Sequence, residues 1–245
     1  LNQVIEFYYD ALQKSPVALE YLQAVRGIDD ASCISRFRIG FSDRSLGLQI
    51  PDGESIDGGI MRGSLQRQGI LKPNGRELFR GCLIFPIYGE NGLLLNVYGR
   101  RIAKYIRKES LPYLCLSKPS RCFFNSTALI GHERIILCSS PIEALTLWVK
   151  GIRNVVATLG MDDFNQSHEI LLKEAHIKCV DIAYANTPAG NRKGYLIGQS
   201  LSSLGIKFRR VGLPPGEDIN SLHQGVTRSE TVWGDLKLDS TVTQH

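Results

Sequence analysis

Ile135-Ile136-Leu137-Cys138-Ser139-Ser140-Pro141-Ile142-Glu143-Ala144-Leu145 is the stretch on which the fold turns. Its four leading apolar residues read as a strand buried on both faces, the kind that parallel sheets use. Ser140 then stands where a helix N-cap belongs, Pro141 at the first helical position, and Glu143 where it can close a capping box. The same grammar recurs downstream. Strands are predicted at 135–138, 154–158, 178–184 and 207–211, with helices at 141–150, 163–175 and 188–204, an alternation that implies parallel α/β organisation. In Ala185-Asn186-Thr187-Pro188-Ala189-Gly190, Thr187 takes the cap and Pro188 starts the helix. Ligands of such sheets collect beyond the carboxyl ends of the strands, so these two turns are the first places to look for a site.

Upstream the pattern is mixed. Val4, Ile5, Tyr8, Leu12, Leu19 and Leu22 recur at helical spacing, broken at Ser15-Pro16 where a second helix can begin, and Asp29-Asp30 can cap a short third helix through Phe37. Residues 38–41 read as extended, 42–59 as loop and 60–69 as a helical segment ending at Gly69. Two apolar runs, 82–88 and 93–98, flank Gly89-Glu90-Asn91-Gly92, whose Asn-Gly step supplies positive backbone angles for a hairpin. A basic stretch follows, with Arg100, Arg101, Lys104, Arg107, Lys108, Lys118 and Arg121 interleaved with Tyr105, Tyr113 and Phe123. The fold class is therefore α/β, with a mixed α+β basic lobe over 1–128, a parallel-sheet domain over 129–225 and a polar tail over 226–245.

The 245 residues are 43% hydrophobic, enough to fill a packed core, and carry a net charge of +5, which suits a polyanionic partner. No apolar run reaches eighteen residues and no signal peptide opens the chain, so a cytoplasmic protein without membrane association is expected. The first residue is Leu1 and not methionine, which points to a piece of something longer. The six cysteines form no C-x-x-C pair, and His132, His168, His176, His223 and His245 complete no zinc pattern. Cys82, Cys138 and Cys179 lie in apolar runs and are expected to be buried, reduced thiols.

Five segments in this order resemble the core of bacterial DnaG-type primases, a basic lobe followed by a Toprim domain. They are Arg36-Phe37-Arg38-Ile39-Gly40, Phe79 through Ile87, Tyr98-Gly99-Arg100-Arg101, Ala157-Thr158-Leu159-Gly160 and Leu213-Pro214-Pro215-Gly216-Glu217-Asp218. Together they span most of residues 15–225. The resemblance implies an invariant glutamate after the first Toprim strand, in a pattern like E-G-Y-x-D, and a D-x-D after a later strand. Here those positions run from Ser139 to Glu143 and through Ala185-Asn186-Thr187. A further acidic pair after G-E is represented by Asp218 and Asn220. The resemblance also implies that the groove between lobe and Toprim holds single-stranded template, and it matches Arg80, Arg100 and Arg101 to family arginines.

Joining nucleotides calls for divalent ions held by carboxylates, and the neutral Ser139, Ala185, Thr187 and Asn220 are poor replacements. The expectation is a primase-like protein without nucleotidyl transfer and without a metal cofactor, Glu143 and Asp218 being the residual metal candidates. Structural uses compete for both: Glu143 in the capping box, Asp218 at a turn. Asp162 and Asp163 can cap the helix that follows them, and Asp181 lies inside a strand. Binding of single-stranded DNA or RNA is assigned to Arg80, Arg100, Arg101, Lys104, Arg107, Lys108 and Lys118, with neighbouring aromatics stacking bases. A protein partner in a replication or mobile-element complex fits as well. The alternative is an active divergent primase using Mg²⁺ or Mn²⁺.

Overall fold

The computed structural model describes residues 1–102 and 111–225, so Lys104, Tyr105, Arg107, Lys108 and the tail 226–245 lie outside the described residues. The chain forms two compact units. The first takes Leu1–Leu22, Ile34–Pro86 and Asn96–Ser117; the second takes Gln23–Cys33, Ile87–Leu95 and the chain from Lys118 onward.

The first unit opens with α1 (Asn2–Gln13), whose Val4, Ile5, Tyr8, Ala11 and Leu12 line one buried face. Ser15 caps α2 (Pro16–Glu20) by accepting from the Ala18 amide, and the helix runs on as a π-helical turn, Tyr21–Val25. Asp30 starts α3 (Ala31–Arg36) by accepting from the Ser32 and Cys33 amides. β1 (Gly40–Phe41) then passes so close to α1 that a Cβ on Gly40 would lie 2.6 Å from the Tyr8 carbonyl carbon.

The stretch expected to be loop is partly helical. A 3-10 turn covers Leu46–Leu48, and α4 (Ile56–Arg67) starts ahead of the predicted residue 60. Two features cause the earlier start: Ser55 Oγ accepts from the Gly58 amide at 3.0 Å, and the bare Gly58 lets the helix sit on the Asp52 carbonyl, which a Cβ would approach to 1.9 Å.

β2 (Cys82–Tyr88), β3 (Leu94–Arg101) and β4 (Tyr113–Cys115) complete an antiparallel sheet in the order β1-β2-β3-β4. In the β2–β3 turn only Gly92 has positive φ (75°), its amide donating to the Gly89 carbonyl, so the left-handed residue is the glycine and not Asn91. The short β4 has no counterpart in the sequence reading; it pairs Tyr98 with Cys115 and stacks Tyr113 on Tyr98 at 5.3 Å.

The second unit is the expected parallel sheet. Its strands β5 (Arg134–Cys138), β6 (Val155–Ala157), β7 (Cys179–Ile182) and β8 (Lys207–Arg210) lie in the order β6-β5-β7-β8. α5 (Pro141–Val149), α6 (Gln166–Glu174) and α7 (Pro188–Ser203) connect them, and a short α8 (Ile219–Gln224) follows. Leu137, Val156, Val180, Ile182, Leu172, Ile197 and Leu201 form the core on one sheet face. Asp181, 2% exposed, is held by Arg134 from β5 (Nε to Oδ2, 2.8 Å) and Arg209 from β8 (Nε to Oδ1, 2.9 Å).

Three expectations change here. Asn165 caps α6, while Asp163 accepts from the Ser120 and Leu159 amides and Asp162 pairs with Lys193 at 2.6 Å. Cys138 and Cys82 are buried free thiols, but Cys179 is only half-buried because β8 beside it is an exposed edge. Phe123, expected among the base-stacking aromatics, is fully buried against His168.

Candidate functional site

The carboxyl ends of β5 and β7 turn directly into α5 and α7, both opened by proline after a Ser or Thr cap. At the first turn Ser140 Oγ lies 3.5 Å from the Glu143 amide, a weak cap. The Glu143 carboxylate does not close a capping box. Oε2 accepts instead from the Ser139 amide (3.2 Å), and Oε1 accepts from the hydroxyls of Ser139 (2.7 Å) and Ser140 (3.0 Å). Glu143 is 5% exposed, and burial, then the nearby negative charge of Asp218, pushes its pKa up to about 7, against the pull of those donors.

Asp218, the other residual candidate, is the N-cap of α8. Its Oδ1 accepts from the Ser221 amide at 2.7 Å, and Ser221 Oγ reaches back to the Asp218 amide. Two residues on, Asn220 is 2% exposed and uses its whole amide: Nδ2 donates to the Arg26 carbonyl and to Thr146 Oγ1, both at 2.9 Å, and Oδ1 accepts from Arg26 Nη1 at 3.1 Å. His223 Nε2 lies 3.1 Å from the Gly27 carbonyl, so α8 fastens the Arg26–Gly27 backbone at two points.

At the second turn Thr187 Oγ1 accepts from the Gly190 amide at 3.1 Å. Asn186 ties this loop to the segment before α8: its amide donates to the Glu217 carbonyl, its carbonyl accepts from Gly216, and Nδ2 donates to the Leu213 carbonyl at 2.6 Å. The neutral Ala185 and Thr187 flank this tie. Arg210, which sequence reasoning passed over as part of a strand, reaches the same end of β7, with Nη2 3.0 Å from both the Tyr184 carbonyl and Asn191 Oδ1.

A Toprim-type pair of divalent ions calls for several free carboxylate oxygens at these turns. The oxygens present do not fit it. Those of Glu143 are turned to three internal donors, Asp218 Oδ1 is turned to a helix amide, and Asn220 points N–H donors where an acid would point acceptors. Among the described residues no group of three or more His, Cys, Asp or Glu side chains could hold a metal ion.

In the first unit the structure brings Arg80, Arg100 and Arg101 to one end of the sheet. A Cβ on Gly99 would meet Phe79 Cδ1 at 2.4 Å and Cys82 Cβ at 3.3 Å, so the segment holding Arg80 lies against the end of β3. Arg80 is exposed and Arg101 half-buried, its Nε donating to the Leu111 carbonyl. Arg100 is turned inward against the Tyr21 and Tyr98 hydroxyls. Arg44 joins this end, its Nη2 3.5 Å from where a Gly81 Cβ would be, and it is exposed at φ 76°. A lone arginine in a polar loop gave no sequence signal for that placement. Lys118 is exposed on the second unit. No described helix is long and apolar enough to cross a membrane.

The family model described as Toprim-like matches residues 136–223. The chain is 30% identical over 231 residues to the DNA primase of Aquifex aeolicus, covering 89% of this chain and 44% of that protein. It thus spans less than half the length of this curated relative. Among solved structures, the zinc-binding and RNA polymerase domains of the Aquifex aeolicus primase superpose with a TM-score of 0.79 at 26% identity, covering 98% of this chain and 59% of that one. A DnaG primase catalytic domain bound to single-stranded DNA superposes with a TM-score of 0.73 at 23% identity, covering 99% of this chain and 84% of that one.

Proposed function

The chain belongs to the DnaG-type primases, whose core it carries, and from that premise we propose that it binds single-stranded nucleic acid without joining nucleotides. The observation that carries the reading is the engagement of the buried Glu143 carboxylate by Ser139 and Ser140, beside the neutral Ala185, Thr187 and Asn220, which supports a pair of Toprim turns short of the oxygens that a metal pair needs. Toprim primases typically use divalent metals, and preorganised charge at the reacting phosphate is worth several orders of magnitude in rate.

The nucleic-acid part rests on the exposed or half-exposed arginines Arg44, Arg80 and Arg101 at one sheet end, a net charge of +5, and the relative whose structure contains single-stranded DNA. Arginines of this kind grip the phosphate backbone and give salt-sensitive affinity with little sequence preference. In the cell the role would be cytoplasmic, in DNA replication or the upkeep of a mobile element, alone or beside a protein partner.

One experiment tests both parts. The purified chain is offered a single-stranded template, labelled ribonucleotides and either Mg²⁺ or Mn²⁺, while binding of the same template is followed across a salt series. Binding that weakens steeply with salt, without labelled product, is the expected outcome. Template-dependent product that vanishes in Glu143→Ala would establish the second reading, an active divergent primase. That reading draws on the closeness of two retained acids, Glu143 and Asp218, near enough that the charge of Asp218 raises the Glu143 pKa.

A further inference from the structure

At the carboxyl end of β7 three oxygens converge on one side chain. Arg210 Nη1 donates to the Ile182 carbonyl at 3.2 Å, and Nη2 donates at 3.0 Å to the Tyr184 carbonyl and to Asn191 Oδ1. Asn191 in turn donates from Nδ2 to Asn186 Oδ1 at 2.8 Å, so a chain of polar groups runs from the guanidinium into the loop that holds Ala185 and Thr187. In this position the guanidinium lies over the bare Gly194: a Cβ there would lie 2.4 Å from Nη1 and 2.7 Å from Cζ, so a larger residue would make the arginine shift. A half-buried cation surrounded by oxygen acceptors is the arrangement that a bound metal ion would otherwise create.

We propose that Arg210 is a built-in cation which has replaced ion binding at this end of the sheet, fastening the β7–α7 turn permanently and repelling any divalent ion that approaches Ala185 and Thr187. This deepens the reading that the acidic site is lost and rests on it. The guanidinium is planar, always charged and able to satisfy several acceptors at once, so the turn holds its shape with no ion in solution. A positive charge so near the turn also means that restoring carboxylates alone would not restore full ion affinity.

The test compares the full chain carrying Ala185→Asp and Thr187→Asp with the same chain also carrying Arg210→Met, each titrated with Mn²⁺ alone and followed by electron paramagnetic resonance. Removing the unit charge beside a divalent ion is expected to tighten Mn²⁺ binding by about tenfold or more. Equal affinities would overturn the proposal. Thermal unfolding of the single variants checks the fastening without the added acids: Arg210→Met should lower the midpoint, Arg210→Lys should lower it less, and Mg²⁺ should restore neither. An unchanged midpoint in Arg210→Met would also overturn it. Primer synthesis by the unaltered chain would sink the proposed function while leaving this comparison intact, so the two failures are distinguishable.

Discussion

Ser139 Oγ donates to Glu143 Oε1 at 2.7 Å, closing over a carboxylate that is 5% exposed. With its folded pKa raised from 4.5 to about 7, Glu143 favours the folded state most below about pH 4.5, and that contribution is lost as pH rises through about 7. Glu143→Gln removes the titration. Its stability relative to the unaltered chain should therefore improve between about pH 5 and pH 8, by a total on the order of 3 kcal/mol. Urea denaturation at several pH values measures this, and parallel pH profiles for the two proteins would refute it.

Asn220 is locked to an amide by its surroundings. Thr146 Oγ1 already donates to the Ile142 carbonyl, so it cannot turn to donate to a carboxylate without leaving that acceptor. Asn220→Asp gains charge attraction to Arg26 but sets an oxygen against the Arg26 carbonyl. The net cost should be about 1–3 kcal/mol, and Mg²⁺ should not recover it. A variant as stable as the parent chain would show that this position is not structural.

Three of the four arginines at the sheet end should separate by role. Arg80→Met and Arg101→Met are expected to weaken single-stranded DNA binding and to reduce its salt slope by roughly 0.7 for each phosphate no longer neutralised. Arg100→Met removes the partner of the Tyr21 and Tyr98 hydroxyls and should also lower stability by about 1–3 kcal/mol. Salt titrations beside denaturation curves distinguish the two classes.

Two adjacent glycines in α4 should respond oppositely. Gly58→Ala forces a Cβ into the Asp52 carbonyl at 1.9 Å and should destabilise the chain, whereas at Gly59 the nearest atom is 3.7 Å away. Gly59→Ala should stabilise by about 0.5–1 kcal/mol through helix propensity. Midpoints that shift in the same direction would contradict the packing described for this helix.

The strand-to-helix turns at Ser140-Pro141 and Thr187-Pro188 were readable in the residues because capping is local, and the parallel sheet followed from buried apolar runs of strand length. The start of α4 was missed because what admits it is a missing side chain meeting a distant carbonyl, which no periodicity records. β4 and α8 are too short for their periodicity to stand out. The replacement of acids at Ala185, Thr187 and Asn220 was visible, but where Glu143 aims its oxygens depends on χ angles set by Ser139 and Ser140. Arg210 was hidden most thoroughly. In sequence it is one basic residue in a strand, and only the gap at Gly194 reveals where its guanidinium goes.

The two arginines that grip Asp181 come from strands on either side of it, so one acid links three neighbours of the sheet. A one-residue slip of β8 would bring Phe208 or Arg210 level with that acid and turn Arg209 to the opposite face. Misaligned assemblies of this sheet thus leave a buried anion with Arg134 alone for a partner, a penalty on wrong pairings that apolar side chains at these positions would not impose.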